Sequence, residues 1–144
     1  MHATTPQLPA SVRTFSQLLS STRRGARLAR LLAVEQLRTW DVSPDVTERA
    51  EVITAELAAN AALHGRVPGR SFRLGLTLTT TTGTLRIAVS DARGDHLPTS
   101  NPPEADSESG RGLLLVAALA DRWGTEPYPP TGKTVWAECD GAGA

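Results

Sequence analysis

Three short stretches of this chain carry residue types suited to phosphate and nucleotide chemistry. In the first, Glu56, Asn60 and His64 recur at steps of four, a spacing that puts them on one face of a helix. Ala58, Ala59, Ala61 and Ala62 leave the neighbourhood open to close approach. The amide oxygen of an Asn suits a hard cation, and a carboxylate one turn away can orient a nucleophile or take its proton. Taken alone, an acid and an amide at this spacing are more often a plain polar helix face. The second stretch is Val89-Ser90-Asp91-Ala92-Arg93-Gly94. By alternation Asp91 falls on the same face as Leu85, Ile87 and Val89, and an acid on a core face needs a donor. An adenine amino group is one such donor; a cap on the turn that follows the strand is the plainer alternative. The third is Ser109-Gly110-Arg111-Gly112-Leu113. Two glycines directly before a helix leave backbone N–H groups to point at an anion, and Arg111 adds a charged contact. A dinucleotide-binding turn fits poorly, because no parallel strand leads into it and its third glycine is missing.

The elements that must hold these stretches follow from periodicity. Val12 to Leu19 form a first strand, and Ser21 or Thr22 caps a helix reaching about Trp40. Pro44 suits the first turn of a second helix. There Val46, Ala50, Ile53, Leu57 and Ala61 make an apolar stripe that ends near His64-Gly65. Phe72 to Leu78 and Leu85 to Val89 alternate strictly across a short turn, which predicts an antiparallel hairpin with one buried face. Residues 92–109 hold three prolines and no period, as expected of a long loop or lid. Gly112 to Ala120 form a short apolar helix, and Asp121 to Thr125 and Lys133 to Cys139 form two closing strands. The order β-α-α-β-β-loop-α-β-β predicts an α/β two-layer sandwich, with a mixed, mostly antiparallel sheet and helices on one face. Residues 1–10 read as a loose leader, 11–140 as the domain and 141–144 as a tail.

Composition narrows the function. The chain has 144 residues, with 15 basic and 15 acidic side chains, so no global charge points to nucleic acid or to an anionic membrane. No apolar run approaches the roughly 20 residues of a membrane helix, and no secretory signal opens the chain, so the expected location is the cytoplasm. The single cysteine, Cys139, excludes an internal disulfide and fits a small apolar residue in a strand. Arg23, Arg27, Arg30 and Arg38 fall within about 80° of one helix face. That is a solvated face in the plain reading and a docking face for an acidic partner in the sharper one.

Each of the three stretches is weak alone, and their order is informative. A helix with Glu56-x-x-x-Asn60, a strand ending in Asp91, a Pro-rich loop and then Gly110-Arg111-Gly112-Leu113 resemble the N, G1 and G2 boxes of the GHKL (Bergerat-fold) ATP-binding family. Gly110-Arg111-Gly112-Leu113 with Val116 and Trp123-Gly124 resembles the G2 region of its small actinobacterial ATP-binding regulators, and Gly132-Lys133-Thr134-Val135-Trp136 resembles their closing strand. The small stand-alone members include anti-sigma-factor serine/threonine kinases. The resemblance covers residues 12–140 and implies a Bergerat fold with ATP and Mg²⁺ as cofactors. It implies that Asn60 ligates Mg²⁺, Glu56 is the catalytic base and Asp91 binds the adenine amino group. Gly94, Gly110, Arg111, Gly112 and Leu113 would contact the nucleotide beneath a lid at 95–109, with Thr134 reaching the adenine pocket. The G1 box departs from the family pattern: Arg93 and Asp95 stand where glycines are usual, with Gly94 between them. Only His2, His64 and His96 are present, and none sits on a phosphoacceptor helix. A stand-alone kinase is therefore expected, with a sigma factor and an anti-sigma-factor antagonist as partners and a homodimer as the assembly. A non-catalytic nucleotide-binding regulator that sequesters a partner is the alternative.

Overall fold

A computed structural model describes residues 11–63, 71–92 and 108–143. Its elements are β1 (Val12–Ser20), α1 (Arg23–Thr39), α2 (Pro44–Leu63), β2 (Ser71–Thr79), β3 (Thr84–Asp91), α3 (Glu108–Leu119), β4 (Arg122–Tyr128) and β5 (Gly132–Cys139). This is the expected order. Thr22 is the N-cap of α1, its hydroxyl accepting from the Gly25 N–H at 2.9 Å. The five strands form one sheet in the order β1-β2-β3-β5-β4. In keeping with the mostly antiparallel sheet expected, every pairing among the described strands is antiparallel.

Alternation decides which face of the sheet is buried. Phe72, Leu74, Leu76 and Leu78 on β2 and Leu85, Ile87 and Val89 on β3 all lie in the core. The stripe Val46, Ala50, Ile53, Leu57 and Ala61 of α2 closes over them, with Ala29, Ala33 and Leu37 of α1 alongside. Each large aliphatic side chain buried in this way is worth about 1.5–3 kcal/mol, so the two layers have ample reason to stay together. On the basic face of α1, Arg23, Arg27 and Arg38 are exposed, while Arg30 pairs with Glu51 of α2.

The end of β4 differs from its sequence pattern. β4 runs through Pro127 to Tyr128, where the sequence pattern ended it at Thr125. As an edge strand, it can carry a proline whose missing N–H breaks no inner ladder. After β5 the chain stays pinned: Ser43 N–H donates to Ala142 O at 2.9 Å, and Ala142 N–H donates to Gly83 O at 2.8 Å.

Candidate functional site

Topology brings the site together. The chain leaves β3 at Asp91, passes through α3 to the edge strand β4, and returns as β5 between β4 and β3. The first residues of β5 therefore lie beside the last of β3, in the register Asp91↔Lys133, Ser90↔Thr134 and Val89↔Val135. Val89 and Val135 both face the helices. Two residues along, Asp91 and Lys133 share that face, while Ser90 and Thr134 point to the other. Asp91 is 4% exposed and Lys133 6%. The Lys133 Nζ lies 3.3 Å from Oδ1 and 3.2 Å from Oδ2 of Asp91.

This register places Asp91 on the core face, as its alternation predicted. The Thr134 hydroxyl lies on the opposite face of the sheet from Asp91, itself buried and 2.6 Å from Ser90 Oγ, and the β5 side chain beside Asp91 is Lys133. Sequence reasoning passed over Lys133, the only lysine in the chain, because the strand register was not countable across the β4–β5 turn. Gly132 makes the approach of the two strands feasible, since a Cβ there would lie 2.1 Å from Asp91 O.

The second half of the site is the α2–α3 contact. Glu56 and Asn60 stand one turn apart on α2, both half-buried. A Cβ at Gly112 would come within 2.6 Å of Glu56 Oε1, so the carboxylate packs directly on the α3 backbone. α3 begins at Glu108, earlier than the glycine pair suggested. Gly110 thus lies in the first turn, where backbone N–H groups lack a partner within the helix, whereas the Gly112 N–H belongs to the helical ladder. The physical need for Gly112 is this packing against Glu56. Arg111 is exposed, and Leu113 is turned inward at 1% exposure. Gly94, Arg93, Asp95, His64 and most of the expected lid fall outside the described residues.

Away from this cluster, burial pushes the Cys139 thiol above its ordinary range, leaving it protonated and unreactive at neutral pH. A hollow of about 100 Å³ under the β4–β5 turn borders the cluster itself, lined by Leu18, Arg73, Ser90, Asp91, Tyr128 and Gly132 among others. No group of three or more His, Cys, Asp or Glu side chains among the described residues converges on a metal position. Mg²⁺ in nucleotide sites usually takes only one or two protein ligands besides phosphate and water, and the amide oxygen of Asn60 fits that role.

The model of the histidine kinase-like ATPase domain matches residues 19–138. The chain belongs to that family. Its ligand class is therefore ATP, and a half-buried acid and amide on α2, a helix N-terminus across from them and a buried Asp at a strand end fit a nucleotide. Among solved structures, the RsbU and RsbW domains of Rv1364c from Mycobacterium tuberculosis match this ATPase domain with a TM-score of 0.68 at 18% identity, over 89% of this chain and 32% of that one. It thus spans about a third of the mycobacterial chain. A chain of the SiaB–SiaC complex from Pseudomonas aeruginosa matches with a TM-score of 0.64 at 13% identity, over 86% of this chain and 88% of that one. At these identities the likeness is one of fold. No curated protein matches the sequence.

Proposed function

We propose that this ATPase domain is a cytoplasmic anti-sigma factor that phosphorylates a serine or threonine of an antagonist protein and binds both that antagonist and a sigma factor. One observation carries the reading: the Glu56 carboxylate packs on the first turns of α3, one helical turn from Asn60. The Asn60 amide oxygen would hold Mg²⁺, which when bound would supply charge neutralisation for the phosphates. Gly110 N–H and the Arg111 guanidinium face those phosphates in this reading, and Asp91 accepts from the adenine amino group. The substrate Oγ bonds to the γ-phosphorus as the bond to the bridging β–γ oxygen breaks and ADP leaves. Glu56 takes the hydroxyl proton on a carboxylate oxygen. That the solved neighbours include an RsbW domain and a two-protein complex supports a partner-binding role.

The test is phosphate transfer from labelled ATP to candidate antagonists. Glu56→Ala should leave ATP affinity nearly unchanged while cutting transfer about 10²–10⁴-fold, the scale of a general base. Asn60→Ala should lose both. Full transfer by Glu56→Ala would overturn the mechanism. A second reading, a nucleotide-binding regulator that sequesters its partner without catalysis, is favoured by the altered G1 box, where Arg93 and Asp95 stand in place of the usual glycines. Tight partner binding with no transfer by the unaltered protein would select it.

A further inference from the structure

We propose that Lys133 is a second base-reading residue, its ammonium donating to the ring acceptor N1 of an adenine whose amino group Asp91 accepts. This rests on the ATP reading above. The register holds Lys133 beside Asp91 on the helix-facing side of the sheet, 3.2 Å from its carboxylate and almost as deeply buried. Further along the same two strands, that face is filled by apolar pairs: Val89 with Val135, Ile87 with Ala137 and Leu85 with Cys139. Joining the strands does not require charge there. A buried ion pair contributes about as much stability as an apolar pair of the same volume, or less. What it adds is a donor and an acceptor side by side at depth.

The type of cation matters too. Every other basic side chain in the sequence is Arg. A guanidinium at this position would fork across both carboxylate oxygens and cover the acceptor. An ammonium is a compact point donor on a flexible stem, able to hold the carboxylate and still offer an N–H alongside it. The edge of adenine presents the complement, an amino donor next to the N1 acceptor. The Gly132 backbone, which tolerates no Cβ against Asp91 O, keeps Lys133 in this register.

Calorimetry with ATP and with 1-deaza-ATP, in which C–H replaces N1, tests the assignment. The full chain should bind 1-deaza-ATP about 10- to 100-fold more weakly, the loss expected for a buried hydrogen bond from a charged donor. Lys133→Met should erase the difference, and Lys133→Gln, which keeps a neutral donor beside Asp91, should narrow it. Because Lys133 is the only lysine, its ¹⁵Nζ resonance in lysine-labelled protein reports the contact without any substitution. That signal should move with ATP and much less with 1-deaza-ATP. Equal affinity for both nucleotides, or an undiminished gap in Lys133→Met and Lys133→Gln, overturns the role of Lys133 while leaving ATP binding intact. Failure of the unaltered protein to bind either nucleotide overturns the ATP reading and this inference with it.

Discussion

At one end of the β3–β5 ladder Leu85 faces Cys139, both fully buried; at the other Asp91 faces Lys133, buried almost as deeply. The strands, the face and the covering helix layer are shared, yet the chemistry is opposite. The apolar end needs no partner specificity, because its stabilisation scales with area removed from water. The charged end is stable only while both partners are present and in register. Depth alone therefore does not assign a role. An ion pair in a row that apolar residues fill elsewhere is not explained by packing alone, which is why recognition is proposed for it here and not for the apolar end.

The largest expected effect comes from breaking each end in turn. Asp91→Leu takes the carboxylate away from a buried ammonium and should cost about 3–5 kcal/mol, while Asp91→Leu/Lys133→Met should recover most of that loss. At the apolar end Leu85→Ala should cost about 2–5 kcal/mol with no second change that restores it, since the cavity remains. Denaturant unfolding of the single and double variants gives the coupling energies directly. Large coupling at Leu85–Cys139, or none at Asp91–Lys133, would dissolve the contrast.

The next effect moves from the sheet to the helix above it. Gly112→Ala puts a methyl group 2.6 Å from Glu56 Oε1, so the carboxylate must shift. A displacement of about 1 Å can cost 10²-fold in a positioned reaction. Phosphate transfer should fall about that much while ATP affinity stays near its original value, as judged by single-turnover kinetics and calorimetry. Equal loss of both would show that Gly112 serves the nucleotide and not Glu56.

Local signals explain what was legible beforehand. The alternation of Phe72 to Val89, the stripe from Val46 to Ala61, the Thr22 cap and Pro44 each act within a few residues, and the structure follows them. The core-facing position of Asp91 came from the same alternation. The neighbour of Asp91 did not, because Lys133 arrives across a helix, an edge strand and a turn, and a one-residue slip exchanges Lys133 for Thr134 and one sheet face for the other. The contact between Gly112 and Glu56 was hidden for a similar reason. A glycine before an apolar run fits an anion-binding turn as well as a close helix contact, and only the position of Glu56 on a different helix separates them.

A third test asks what an unpaired polar group does in the same interior. Thr54 on α2 is fully buried, and its hydroxyl has no hydrogen-bond partner among the described residues. The isosteric Thr54→Val removes that group without opening a cavity and should stabilise the fold by about 1–2 kcal/mol. The midpoint of urea unfolding should rise with an unchanged slope. A fall in stability would mean that the hydroxyl is partnered in solution, and the contrast with the paired Asp91 would weaken.

The smallest effect belongs to an ion pair at the surface, at the far corner of the same sheet. Arg122 holds Asp140 through two hydrogen bonds, at 3.1 Å and 2.6 Å, and this keeps the Asp140 carboxyl below the usual range. The native state therefore stays ionised in a window where the unfolded chain, with an Asp pKa of about 3.9, already takes up a proton. The contribution is fully present above the unfolded value and is lost as pH falls through the folded one. At pH 7 Asp140→Asn should melt slightly below the unaltered protein, and the two melting curves should converge in strong acid. Added salt should shrink the neutral-pH difference, because both groups face water and are screened. The cost of breaking the Asp91–Lys133 pair should hardly respond to salt, because that pair is buried. A salt-sensitive penalty there would place the pair in water and remove the physical basis for setting the two ends of the ladder apart.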